Sequence, residues 1–232
     1  MFENKNHFYD CETCLFKNIS CRYLTNEEFE VIRRTSTQLH FKKGENILKQ
    51  GGKATQLIFL HKGIVKFNYQ NENEKNFIMT IVAGPKLLGG ANLFFKETNI
   101  FSLTAVEDSE ICMIDIKALK TVALKHSNYI FSVFESTVNM FQHSIFNFIS
   151  LAHKQVHGRI ADILIYLTES VYKNSTYDLT LSRKEIAEFA ACSHENVITT
   201  LSKLNKEGIL ELEGKKITIK DRKKLQEISK RG

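Results

Sequence analysis

The chain has 232 residues, 43% of them hydrophobic and 25% charged, which is the composition of a globular protein of one large or two modest domains. No apolar run approaches the roughly 20 residues of a membrane span, and the opening MFENKNHFYDC has no apolar signal core, so a cytoplasmic location is expected. The net charge of +6 is uneven: from Lys154 onward 15 Lys/Arg stand against 11 Asp/Glu, and the rest holds 17 against 15. This modest basic excess permits nucleic-acid binding without requiring it.

Residues 1–24 are polar and rich in cysteine. Five cysteines in a reducing compartment do not suggest a disulfide framework. Three of them, Cys11, Cys14 and Cys21, crowd together, which asks for a metal or redox explanation. Tyr23–Gln38 is predicted to be a helix, with Thr25 as cap and Glu28 as the matching acid of a capping box. From Leu39 to Asp115 short β-rich runs alternate with glycine turns. The best strands are 58–60, 64–69, 77–82, 102–106 and 110–114, a spacing that suggests a small antiparallel barrel or jelly roll over residues 25–126.

A long helix follows. Its apolar positions Phe131, Phe134, Val138, Phe141, Ile145, Phe148 and Ala152 run at alternating spacings of 3 and 4, a heptad seam of the kind that pairs helices side by side. Residues 127–153 are therefore expected to form a dimerisation helix, although a single helix buried on its own domain shares the pattern. A second line of Ile130, Val133 and Met140 is expected to lie back on the barrel. His153 and His157 stand four apart, as zinc ligands can, but no third ligand is near, so surface histidines at a hinge are the preferred reading. Another amphipathic helix, 159–172, opens a C-terminal domain of residues 154–232.

The stretch LSRKEIAEFAACSHENVITTLSKLNKEGIL, residues 181–210, holds two short helices. Ser182 caps the first, with Glu185 three residues on; Ser193 caps the second, with Glu195 in its first turn. Val197, Leu201 and Leu204 make the inward stripe of the second helix. Gly208 ends that helix, and 211–220 reads as a hairpin turning near Gly214. Any amphipathic helix pair shares part of this pattern. The added wing, with Lys215, Lys216, Lys220, Arg222, Lys223 and Lys224 beside it, favours a winged helix-turn-helix on double-stranded DNA. The fold class expected is therefore α+β. Residues expected at DNA are Glu195, Asn196, Thr199 and Thr200 at base edges, and Ser182, Arg183, Ser193 and Lys203 nearer phosphates, with His194 on the same outward face. Cys192 reads as a small spacer in the turn.

The order helix, β-roll, long helix, winged helix-turn-helix resembles the Crp/Fnr family of bacterial transcription regulators over nearly the whole chain. Phe41–Gly51 (FKKGENILKQG) is similar to the family's first barrel turn, Leu60–Lys66 (LHKGIVK) to its next strand-turn, and Ser182–Leu210 to its DNA-reading helices. The resemblance implies a cyclic-nucleotide-binding-like β-roll (a double-stranded jelly roll), a homodimer on a palindromic operator, and RNA polymerase as a partner. It implies no enzyme activity.

Family members that bind cyclic nucleotides carry a Gly-Glu pair and an Arg-Ser pair. Here the matching stretches are Leu87–Phe94 and Asn99–Leu103; the glutamate is missing, and no arginine lies between Arg34 and Arg159. A cyclic phosphate buried without its cation is costly, so no cyclic nucleotide is expected. The Fnr branch, which the chain resembles most, holds a 4Fe–4S cluster on three N-terminal cysteines and one from a late barrel strand. Cys11, Cys14, Cys21 and Cys112 match that distribution, and the resemblance implies a cluster that responds to oxygen, nitric oxide or redox state. A zinc or thiol switch, a barrel that senses haem or another small ligand, and no cofactor at all stay open. At the position where family recognition helices often carry arginine, four residues after Glu195, this chain has Thr199, preceded by Ile198. A cupin-type metalloenzyme would need clustered histidines, and the strand region 39–115 has only His40 and His61.

Overall fold

The fold is seen in a computed structural model that describes residues 9–11, 13–89 and 98–232. The described parts of 1–65 and 83–141 form one compact unit, and 66–82 with 142–232 form a second.

In the first unit α1 (Asn26–Arg34) starts on the capping box expected from the sequence: Glu28 N donates to Thr25 Oγ1, and Thr25 N donates back to Glu28 Oε2. The helix was expected to reach Gln38 but stops at Arg34. The Thr35 and Ser36 hydroxyls turn back to donate to the Ile32 and Arg33 carbonyls, and the chain leaves in extended form.

The strands are β1 (Thr37–Phe41), β2 (Asn46–Leu48), β3 (Gln56–Lys62), β4 (Ile64–Gln70), β5 (Asn76–Ala83), β6 (Lys86–Leu88), β7 (Ser102–Ala105) and β8 (Ser109–Asp115). They make two four-stranded sheets, ordered β1-β8-β3-β6 and β2-β7-β4-β5, the jelly-roll type expected. The five strands read from the sequence are present; β1, β2 and β6 are additional. Gly63, between β3 and β4, has φ +105, and a Cβ there would stand 2.8 Å from the Ser109 Cα. Only glycine fits that turn, which is why the LHKGIVK stretch carries one.

After β8, Asp115 caps α2 (Ile116–Ala123), a helix the sequence reading missed. Then comes α3 (Ser127–His153). Val133 is 3% exposed, and Tyr129, Val133 and Ile130 join a core with Phe29, Ile32, Phe59 and Leu119. Met140 is buried as well. This is the second apolar line expected on α3. The seam positions lie on the other side: Phe131, Phe134, Val138, Phe141, Ile145 and Phe148 are 38–70% exposed, and Ala152 is exposed too.

The second unit contains the hairpin of β4 and β5, α4 (Val156–Tyr166) with a π-helical last turn Leu167–Val171, β9 (Thr176–Asp178), α5 (Arg183–Ala190), α6 (His194–Lys206), β10 (Leu210–Glu213), β11 (Lys216–Ile219) and α7 (Arg222–Arg231). Phe77 stacks on Phe148 with ring centroids 6.0 Å apart. Tyr166 donates to the Ile81 carbonyl. Lys66 Nζ lies 2.8 Å from Glu185 Oε1. No helix among the described residues is long and apolar enough to cross a membrane.

Candidate DNA-reading face and cysteine cluster

The helix-turn-helix is built as its sequence dictates. Ser182 caps α5, its Oγ accepting from Glu185 N while Glu185 Oε2 accepts from Ser182 N. The helix ends at Ala191, whose φ of 46° turns the chain in the left-handed region. Ser193 then caps α6, accepting from Asn196 N at 3.2 Å. Val197, Leu201 and Leu204 are buried, at 0%, 1% and 3% exposure. β10 and β11 pair antiparallel, Leu210 opposite Ile219, and turn at Gly214, which has φ 63. This is the wing, and β9 extends it to three strands. The Asn205 side chain accepts from Leu212 N at 3.0 Å and so fixes where the wing starts relative to α6.

Ser193, His194, Glu195, Asn196, Thr199 and Lys203 are all exposed on α6 or its cap, as expected of a DNA-reading face. Thr200 is a correction. It is 1% exposed, and its Oγ1 lies 2.9 Å from His157 Nδ1 of α4. Its position on the helix faces the domain core, and a threonine hydroxyl can be buried there because the imidazole satisfies it. Ile198 and Ser202 share the outward face instead. Arg183 is the first residue of α5. It is half-buried near Tyr177, one guanidinium nitrogen is buried without a hydrogen-bond partner, and burial holds its pKa below the ordinary value. Ser182 is exposed, but its hydroxyl is engaged by the cap. Cys192 is half-buried in the turn.

The other candidate site is in the first unit. Cys11, Cys14, Cys21 and Cys112 are 8%, 7%, 2% and 3% exposed and belong to one apolar cluster. The π-helical turn Phe16–Ser20 separates Cys14 from Cys21 and packs Phe16 on Phe29 and Phe59. Cys112 sits mid-strand in β8, paired with Gln38 on β1 and Phe59 on β3. Gln38 Nε2 reaches Cys11 Sγ at 3.6 Å, and Lys17 N reaches Cys14 Sγ at 3.5 Å. Burial raises the pKa of Cys21 and pushes Cys112 up to about 12. Burial, then the neighbouring Cys14, raises Cys11. The four sulfurs are close enough to act on one another electrostatically, and Arg33 acts on Cys11 against the effect of burial.

One group here was not legible in the sequence. Tyr129, in the first turn of α3, is 0% exposed, and its hydroxyl has no hydrogen-bond partner of ordinary geometry. Its electrostatic neighbour is Cys21. A thiol is a weak acceptor for a buried phenol, and a charged sulfur at Cys21 would be a stronger one. The donor set therefore fits a metal-thiolate group: four cysteines, backbone and side-chain N–H groups near two sulfurs, and one buried hydroxyl beside a third. As the chain stands, no three or more His, Cys, Asp or Glu side chains among the described residues are gathered as a single-ion site. Of the stretch Leu87–Phe94, where cyclic-nucleotide binders carry their glutamate, residues 90–94 lie outside the described residues.

Comparison with known proteins agrees with this architecture. Residues 158–228 match the Crp-like helix-turn-helix domain, and residues 38–126 match the cyclic nucleotide-binding domain. The chain is similar to a cAMP-activated global transcriptional regulator CRP of Pasteurella multocida, 26% identical over 178 residues that cover 75% of this chain and 85% of that protein. It is similar to the transcriptional activator protein FnrL of Cereibacter sphaeroides, 20% identical over 218 residues, 90% and 87% of the two chains. The solved structure of FixK2 from Bradyrhizobium japonicum has the same fold, with a TM-score of 0.75 and 19% identity over 83% of this chain and 96% of that one. The exposed polar face of α6, the β-roll and these relatives lead to one assignment: the chain belongs to the Crp/Fnr family of transcription regulators, which are not enzymes.

Proposed function

We propose that the protein is a homodimeric, sequence-specific DNA-binding regulator whose affinity for a palindromic operator responds to oxygen, nitric oxide or redox state through a 4Fe–4S group on Cys11, Cys14, Cys21 and Cys112. The observation that carries the reading is the burial of these four thiols in one cluster that also contains Tyr129 and Val133 of α3. Whatever changes at the sulfurs is felt at the root of that helix. When bound, the group supplies positive charge that keeps the thiols ionised, and a redox-sensitive centre.

The chain's own residues do the rest. Tyr129 donates to Cys21, Gln38 to Cys11, and the Lys17 amide to Cys14. Phe16, Phe29 and Phe59 keep water away. The exposed stripe of α3, from Phe131 to Ala152, pairs with the same stripe of a second copy, a surface too apolar to stay in water at this length. Pairing sets two α6 helices on half-sites about one DNA turn apart. RNA polymerase is the expected partner of the bound dimer. A cyclic nucleotide is not the signal in this reading, because no arginine lies between Arg34 and Arg159 to meet the phosphate.

The test is anaerobic purification and reconstitution, followed by iron and sulfide analysis and a visible spectrum before and after air. Iron and sulfide in equal amounts, with absorption that air bleaches, are expected. A colourless, metal-free protein after anaerobic reconstitution would refute the iron–sulfur reading while leaving DNA recognition standing.

A further inference from the structure

The outward face of α6 carries one side chain whose chemistry differs from its neighbours. Ile198 is 49% exposed. It stands three residues after Glu195, beside Thr199, and four before Ser202, all exposed. The helix already has its core stripe in Val197, Leu201 and Leu204, and Thr200 fills the remaining inward position with its bond to His157. Packing therefore does not call for Ile198, and a β-branched residue is not chosen for helix propensity. A single exposed isoleucine is ordinary on a protein surface. This one is the large aliphatic group on a face otherwise made of imidazole, carboxylate, amide, hydroxyl and amine.

In the major groove the bases present donors, acceptors and one apolar feature, the C5 methyl of thymine. Glu195 has the chemistry for a cytosine amino group. Three residues advance the helix by about 4.5 Å, close to one base step of about 3.4 Å. We propose that Ile198 is a specificity-determining residue that packs on a thymine 5-methyl at or next to the base step adjoining the pair read by Glu195. Burying that methyl against Ile198 makes thymine preferred there over cytosine and over uracil. This inference rests on α6 being the DNA-reading helix.

The experiment first selects an operator from random duplexes with the full-length protein. Each dT of the half-site is then replaced by dU, which deletes the methyl and keeps the Watson–Crick pairing. Affinities at one salt concentration are compared for the unmodified protein, Ile198→Ala, Ile198→Val and Thr199→Ser. One dT→dU position should weaken the unmodified protein about fourfold per half-site, from the burial of one methyl. Ile198→Ala should be indifferent to that change, Ile198→Val intermediate, and Thr199→Ser as sensitive as the unmodified protein.

Equal affinity for all dU duplexes would overturn the proposal. So would a penalty that persists in Ile198→Ala, or one that vanishes in Thr199→Ser, which would assign the methyl to another residue. Failure to select any sequence would instead bring down the reading of α6 itself. Because Ile198 is exposed, thermal melts of its variants should match the unmodified protein, so loss of folding does not confound the comparison.

Discussion

Lys66 and Glu185 form a partly buried ion pair, Nζ to Oε1 2.8 Å, with side chains 15% and 18% exposed. Glu185 is also the acid of the α5 capping box, so one carboxylate serves both the helix start and the link to β4. Burial alone would raise its pKa, but Lys66 and Ser182 outweigh burial and hold it below the ordinary value.

A group with a depressed folded pKa adds stability above its unfolded pKa and loses it as pH falls through the folded value. Glu185→Gln should therefore destabilise the second unit at neutral pH, by about 1.5–3 kcal/mol. It should also flatten the decline in stability below the ordinary glutamate pKa of 4.5. Denaturant midpoints from pH 7 to pH 3 check both. An unchanged acid limb would mean the pair is not formed in solution.

The α3 seam gives the second prediction. Phe134 and Phe141 are 54% and 38% exposed in the single chain. Replacing both with glutamate should leave the chain folded, since surface changes are usually within about 0.5 kcal/mol. It should turn a dimer into a monomer in sedimentation equilibrium and sharply weaken binding to a two-half-site operator. If the variant stays dimeric, the stripe is covered by something else.

Thr200 and Glu195 should separate stability from recognition. Thr200→Val leaves His157 Nδ1 without its partner at 2.9 Å and should lower stability by about 1–3 kcal/mol. The preferred DNA sequence should not change. Glu195→Ala should do the reverse, with an unaltered melt and discrimination at one base pair weakened roughly five- to a hundredfold. Selection from random DNA with each variant distinguishes the two roles.

Tyr129→Phe should change sign with the state of the cysteines. In metal-free protein it removes a buried hydroxyl whose neighbour, the Cys21 thiol, is only a weak acceptor, so the melting temperature should hold or rise. In reconstituted protein it removes a donor to the Cys21 sulfur, so the visible absorption should bleach faster in air. A variant with equal effects in both forms would make Tyr129 a packing residue only.

Features set by neighbours in sequence were legible from the sequence. The capping boxes at Thr25 and Ser182, the strand-turn at Gly63, the wing turn at Gly214 and the seam of α3 all announce themselves within seven residues. Groups paired over long separations did not. Thr200 was read outward because it is polar, and nothing local signals that His157, 43 positions earlier, satisfies it. Tyr129 gave no sign of its place beside Cys21, because contacts across the core leave no period in the chain. The first two residues of β1 were read into the preceding helix because the stop after Arg34 comes from two hydroxyls bonding backward, with neither glycine nor proline to mark it.

The account turns on whether the cysteine cluster governs DNA reading through α3. The direct measurement is the affinity of anaerobically reconstituted protein for its selected operator, before and after air, beside Cys21→Ser and the double phenylalanine variant of α3. The account predicts tight binding by a dimer before air, loss of binding together with loss of visible absorption after it, and weak binding by both variants throughout. Tight binding that air and Cys21→Ser leave unchanged would contradict it.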